Sequence, residues 1–400
     1  MRQLWSKIRY TPFMIEFFDF FKKGDLILLS LCLLTSGFGC LIVASTNNYR
    51  GFTRYVAIQI IAILLGVFMY MVVSSISADF ISEHRRFLVG FNCVLLFLLL
   101  TPFGTDHGSG NRSWLEFPLL PMDIQPAEFC KITFVVILAS VMASHQNRIS
   151  SIPSVFHMVF QLGLVAGLNV VISGDAGVSL IFVFIFIIMA FAGGVKWYWF
   201  AMGGAGIAAA LPILWNFVMK PYQKERILVL FDPSIDPYGL DARYQSYRAL
   251  LSLNGGGLTG QGLFNGNRTQ VGALPAQHTD FIFSALGEEM GYLGCLLVLV
   301  LLSLIVIRCI YVGTRSQDYL RRMICFGVAA ALIFQTVSNV GMNLGVAPVI
   351  GLTLPFISYG GSSIMSLNAM MGLVSGVHAR PEAKPHERYI QPSPETLRWY

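Results

Sequence analysis

Apolar blocks of about 18–22 residues recur along the chain, each as long as a helix must be to cross a hydrocarbon core at about 1.5 Å per residue. They predict spans at about 26–46, 55–76, 86–102, 124–144, 154–172, 175–193, 197–217, 282–307, 323–344 and 362–379. Inside a bilayer every backbone polar group must bond within the protein, which leaves helical bundles and closed barrels. Barrel strands are about ten residues long and alternate apolar with polar positions, whereas these blocks are longer and do not alternate. With 55% hydrophobic and 12% charged residues, the chain is too apolar for an ordinary soluble domain. The expected fold class is therefore all-α, a polytopic membrane helical bundle of about ten transmembrane helices forming one domain over 1–400. Its one large exterior loop, 218–281, falls between helices 7 and 8.

An even number of spans puts both termini on one side. If that side is the cytoplasm, interior segments hold 17 of the 27 Lys and Arg residues, and the short exterior connections hold only Arg50, Arg54 and Arg112. Residues 1–25 then form a cytoplasmic N-terminal segment without the cleavage site of a signal peptide, and 380–400 form a cytoplasmic tail. The formal charge of +6 follows from this asymmetry and calls for no nucleic-acid partner. Of the seven cysteines, Cys309 sits at a cytoplasmic end and the others lie in or near spans, which excludes a disulfide framework and a Cys-x-x-Cys metal pair.

Ionisable groups that a span or its mouth must accommodate are the informative ones. Three concentrations occur. In the first, Gly108-Ser-Gly-Asn-Arg-Ser-Trp114 leads into Ile124-Gln-Pro-Ala-Glu-Phe-Cys-Lys131, where Pro126 suits a first helical turn. Glu128 and Lys131 then stand three residues apart on one helix face, either as a structural pair that enters the membrane neutralised or as part of a substrate-facing site. The second is Ser173-Gly-Asp175, where Asp175 suits an N-cap for the next span or an acid at a site mouth.

The third is the long loop. It contains Lys220-Pro-Tyr-Gln-Lys-Glu-Arg226, Arg243-Tyr-Gln-Ser-Tyr-Arg248, a Gly-rich run over 255–262 and Leu274-Pro-Ala-Gln-His-Thr-Asp-Phe281. So long a loop predicts short helices packed over the mouth of the bundle, and its mix of cations, aromatics and glycines suits a pyrophosphate or sugar ligand. Asp280 can cap the helix that follows or act chemically. Near the C-terminal end, Pro348-Val-Ile-Gly-Leu-Thr-Leu-Pro-Phe-Ile-Ser-Tyr-Gly-Gly-Ser-Ser363 breaks the hydrophobic pattern, and broken segments are tolerated at membrane depth only beside a cavity or protein.

Taken in order, Arg112 with Trp114, Gln125-Pro-Ala-Glu128 with Lys131, Leu274 to Phe283 with Glu288-Glu289, and Leu354 to Ser363 resemble the SEDS family (shape, elongation, division and sporulation) over nearly the whole chain. The resemblance implies a peptidoglycan glycosyltransferase that polymerises lipid II at the outer face of the bacterial cytoplasmic membrane. It implies that Asp280 is catalytic, and pyrophosphate leaves readily enough that one carboxylate base suffices to take the acceptor hydroxyl proton. Arg112, Lys131, Arg226, Arg243, Arg248 and His278 are the candidate substrate-binding groups. Trp114, Glu128, Asp175, Ser358 and Tyr359 support the site, and a divalent cation could assist. Implied partners are lipid II, membrane lipid, a class B penicillin-binding protein acting as transpeptidase, and other elongation or division proteins. The family's usual Gln-Pro-Asp reads Ser173-Gly-Asp175 here, and the acid usual before His-Thr-Asp is Gln277. Two other functions fit a polar cavity among ten spans: a flippase for lipid-linked precursors, and a non-catalytic scaffold that activates a transpeptidase.

Overall fold

A computed structural model describes residues 23–51, 53–106, 110–118, 122–219, 221–241 and 243–380. The expected head before residue 23 and the tail after 380 lie outside the described residues. Ten helices correspond to the ten expected spans: α1 Leu26–Thr46, α2 Thr53–Ser75, α4 Arg85–Phe97, α5 Pro126–Ser144, α6 Ile152–Ser173, α7 Ala176–Ala192, α8 Trp197–Ile213, α11 Ile282–Arg315, α12 Tyr319–Asn343 and α13 Gly361–Ala379. A short α3 (Ala78–Glu83) joins α2 to α4, and α9 (Pro221–Phe231) and α10 (Tyr244–Gly256) lie in the long loop. The only strands among the described residues are β1 (Gly104–Thr105) and β2 (Trp114–Leu115), an antiparallel pair.

Seven of these helices are long and apolar enough to cross a membrane by length and composition, and α7 is a shorter apolar helix. Helix α13, with four serines, three glycines and an asparagine, runs through the middle of the bundle, touching α1, α2, α5, α11 and α12. Surface that faces protein need not match lipid. Its closest partner is α2, and the two approach through glycines: a Cβ on Gly372 would meet the Tyr70 carbonyl at 2.7 Å, and one on Gly66 the Asn368 side chain at 2.8 Å.

Helix starts follow their sequence signals. Asp25, Asp175 and Asp318 cap α1, α7 and α12 through side-chain oxygens that accept backbone N–H groups, and Pro126 occupies the first turn of α5. At one end of the bundle, buried Asp25 receives both Arg308 Nε and Nη2, at 2.9 and 3.0 Å, tying α1 to α11. At the same end Arg321 of α12 bridges Asp79 and Asp318. Cys309 is buried inside α11, which runs on to Arg315, past the expected limit at 307. All seven cysteines are free.

The opposite end carries the long loop. Here α11 is two helices in one run, broken at Gly291, whose φ of 67° and ψ of −166° are open to glycine alone. The break lets the Gly-rich turn hydrogen-bond across it: Gln261 and Gly262 donate to the carbonyls of Glu288 and Glu289, and Tyr292 donates to Gly257. Helix α10 lies over α11 and α12, with Ala249 packed among Leu274, Phe281 and Ala285.

Candidate active site

Two irregular segments meet at this end, and their backbone groups are satisfied by each other and by amide side chains of α2 and α12. The residues before α11 offer three successive carbonyls. Tyr359 N–H donates to His278 at 2.8 Å, Ser358 Oγ donates to Thr279 at 2.7 Å, and both Asn339 and Asn343 donate side-chain amides to Asp280, at 2.9 and 3.0 Å. The segment 344–360, broken as expected, is held in turn by Asn339 to the Leu352 carbonyl and by Gln59 of α2 to the Ser358 carbonyl. Unpaired backbone at this depth would cost several kcal/mol per group by general estimates, so these buried amides stabilise the break.

Asp280 does not cap α11. The cap position is Phe281 and carries no side-chain hydrogen bond, and among the described residues the Asp280 carboxylate has no hydrogen-bond partner. It is partly exposed yet surrounded by protein, and burial, followed by the charge of Asp175, raises its pKa from 3.8 to about 6. A carboxylate fixed through its own backbone, with free oxygens and a pKa near neutrality, has the properties of a general base.

Asp175 does cap its helix, with Oδ1 accepting from Val178 N–H at 3.0 Å while Ser113 Oγ donates to Oδ2 at 3.4 Å. Burial raises its pKa and these hydrogen bonds oppose the rise. The turn at Ile350 and Gly351 lies between the two acids: a Cβ on Gly177 would meet the Ile350 carbonyl at 2.5 Å, and one on Gly351 would lie 3.9 Å from Asp280 Oδ2.

His278, Ser358 and Tyr359 gather at Asp280. The His278 ring packs against Tyr359 with centroids 5.6 Å apart, and burial, helped by Arg50, lowers its pKa to about 4, so it is neutral at physiological pH. Glu128 and Lys131 form a buried ion pair at 2.7 Å, and Ser366 of α13 donates to the second carboxylate oxygen at 2.7 Å. Lys131 is fully buried and its charge is balanced, so the site's cationic character is not carried by a bare lysine.

Arg112 points elsewhere: its guanidinium donates to the carbonyls of Gly104 and Thr101, bracing the β1 turn, while Trp114 sits opposite Thr105 in the strand pair. Arg226 donates to the Val349 carbonyl at 3.5 Å, linking α9 to the broken segment. Arg243 and Arg248 lie over the rings of Tyr247 and Tyr244, at 5.5 and 5.4 Å, half-buried and without a carboxylate partner among the described residues. No cluster of three or more His, Cys, Asp or Glu that could hold a metal ion occurs among the described residues.

Sequence reasoning missed Asn339, Asn343, Ser366 and Tyr55. A signal existed for the first two, because Asn339 and Asn343 stand four apart on one face of an apolar span, and intramembrane amides are costly unless they serve a purpose.

The chain resembles known proteins over most of its length. It is 30% identical over 379 residues to the peptidoglycan glycosyltransferase MrdB of Escherichia coli K12, covering 94% of this chain and 95% of that one. It is 34% identical over 361 residues to a probable peptidoglycan glycosyltransferase FtsW of Thiomicrospira cyclica, covering 88% and 90%. Among solved structures, a chain of a peptidoglycan synthase complex that coordinates polymerization and crosslinking superposes with a TM-score of 0.75 at 28% identity, over 90% of this chain and 98% of that one. The rod shape determining protein RodA of Thermus thermophilus superposes with a TM-score of 0.64 at 26% identity, over 89% and 96%. A family model described as cell cycle protein, covering FtsW, RodA and SpoVE, matches residues 25–382, and the chain, with its helical membrane fold and its fixed Asp280 turn, belongs to that family.

Proposed function

We propose that this protein is a peptidoglycan glycosyltransferase that polymerises lipid II, with Asp280 as the general base. The observation that carries the reading is the Asp280 carboxylate: its main-chain carbonyl is pinned by two asparagines and its oxygens are unengaged. The names of the relatives at 30% and 34% identity support it. In the reaction, the 4-hydroxyl of an acceptor sugar attacks the anomeric carbon of a donor with inversion, its proton passes to Asp280, and a polyprenyl pyrophosphate departs with the bonding electrons. A weakly basic leaving group needs no second carboxylate acid, unlike the glycosidase pair.

Arg226, Arg243 and Arg248 are the cations proposed to meet the pyrophosphate. Arg243, which precedes α10, and Arg248 on it support this role best, because their side chains are stacked on tyrosines and not spent on carboxylates among the described residues. A divalent cation, allowed by the chemistry, would find Asp175 and Asp280 as its nearest acids. Glu128, Lys131, Arg112 and Trp114 hold the walls of the site in this reading.

The active end faces the outside of the cytoplasmic membrane and both termini face the cytoplasm, supported by the excess of Lys and Arg at the end opposite Asp280. A class B penicillin-binding protein is the proposed partner, in keeping with the synthase complex from which a structural neighbour comes. The test is polymerisation of purified lipid II, with a cognate transpeptidase supplied, by wild type and by Asp280→Ala. Equal polymer from both would remove the assignment.

A further inference from the structure

Beside Asp280 lies a group of rings with no catalytic role in the reaction above. Tyr55 at the start of α2, His278 and Tyr359 form a closed triangle, with centroids 5.5 Å (Tyr55 to His278), 5.3 Å (Tyr55 to Tyr359) and 5.6 Å (His278 to Tyr359) apart. All three are half-buried. Neither phenolic hydroxyl and neither ring nitrogen has a hydrogen-bond partner among the described residues, and none of these atoms is sealed from solvent. Rings that only packed a loop onto a helix would bury their polar ends or pair them, since tyrosine hydroxyls in cores usually find partners.

We propose that Tyr55, His278 and Tyr359 form a stacking platform for an N-acetylated hexopyranose of the acceptor chain, beside the base that deprotonates its hydroxyl. The proposal rests on the glycosyltransferase reading and names where one of its sugars binds. Three features carry it.

The platform is rigid: Tyr359 N–H is bonded to the His278 carbonyl, and Gln59, one turn along α2 from Tyr55, is bonded to the Ser358 carbonyl at 3.2 Å. It is close to the chemistry, because His278 precedes Asp280 by two residues, at most about 7 Å of chain. Its polar groups suit a sugar. Pyranose rings present apolar C–H faces that pack on aromatic faces and equatorial hydroxyls that bond to phenol and imidazole, and a neutral imidazole both donates and accepts. Arg50 and Arg54 stand at the rim, where their charge acts on His278 and Tyr359.

The test uses the full-length protein with a cognate transpeptidase supplied, a short soluble oligomer of β-1,4-linked N-acetylglucosamine as binding probe and lipid II as substrate. Tyr55→Ala and Tyr359→Ala should each weaken probe binding and raise the KM for polymerisation about tenfold while lowering kcat far less. Tyr55→Phe, which keeps the ring, should lose about threefold, a change of about 0.6 kcal/mol, and serves as the control for folding. Asp280→Asn should bind the probe like wild type and make no polymer. Polymer made by Tyr55→Ala with wild-type KM and wild-type probe binding overturns the platform. Probe binding that depends on Tyr55 in a wild-type protein that makes no polymer would keep the platform and sink the transferase reading.

Discussion

Asn339, fully buried in α12, donates its side-chain amide to the main-chain carbonyl of Asp280 at 2.9 Å, so the proposed base is positioned from a span and not from its own loop. The same amide reaches the Leu352 carbonyl at 2.6 Å. Asn339→Leu removes the donor, strands the Leu352 carbonyl and leaves the Asp280 carbonyl held by Asn343 alone. Misplacing a catalytic group by about 1 Å costs about 100-fold, so kcat should fall by that order with KM little changed. A thermal midpoint lowered with wild-type kcat would assign Asn339 to structure alone.

The acid limb of the pH–rate profile should report Asp280. As a base it must be charged, so kcat/KM should rise through about pH 6 and level off above it. Asp175→Asn keeps an N-cap for α7, since asparagine caps as well as aspartate, but removes the negative charge that helps to hold Asp280 protonated. The limb should move to lower pH. A limb that stays in place would detach Asp175 from the titration of the base.

Burial makes Asp280 a cost to folding. Its pKa in the folded protein lies above the unfolded value, so the native state binds more protons between about pH 4 and 6, and stability falls as pH rises through that window. At pH 7.5 the cost is complete. Asp280→Asn should therefore abolish polymerisation and stabilise the protein by on the order of 3 kcal/mol, with the gain shrinking below pH 6. Thermal melts in detergent at pH 5 and 7.5 measure both signs.

Glu288 fastens the loop. Its carboxylate accepts Arg268 N–H at 2.8 Å, Thr269 N–H at 3.1 Å and Thr269 Oγ at 2.7 Å. Glu288→Gln is not conservative here, because a carboxamide brings N–H donors to a pocket already made of donors. It should cost about 2 kcal/mol or more, and amide exchange over 258–272 should speed up while exchange in α12 does not.

At the far end, Asp25 and Arg308 test the buried-pair rule. Removing one partner strands the other charge, so Asp25→Ala should cost about 3–5 kcal/mol, including its cap on α1. Asp25→Asn combined with Arg308→Met should be less damaging than Arg308→Met alone. Chemical or thermal denaturation of Asp25→Asn, Arg308→Met and the double variant gives the coupling.

The fold was legible wherever one local signal decided the outcome. Hydrophobic length located the spans, Asp and Pro marked helix starts, and the two prolines and three glycines between 348 and 361 announced the break that lines the site. The span expected over 282–307 misled, since hydropathy counts apolar residues and is blind to the backbone angles of Gly291. The capping reading of Asp280 failed for a related reason. Its geometry is set by Asn339 and Asn343, about 60 residues away in sequence, and a cap is a local inference. Pairs such as Glu128 with Lys131, three residues apart, were readable, whereas Ser366 reaching the same carboxylate from α13 was not.

The break at Gly291 also sets where the chemistry sits relative to lipid. As one rod, the 34 residues of α11 would be about 51 Å long, far beyond a hydrocarbon core of about 30 Å. Counted from Tyr292, the second part is about 36 Å, a span with modest tilt and one exposed end. Length alone thus leaves Asp280 and the helical turns before Gly291 outside what a core of that thickness can hold of α11.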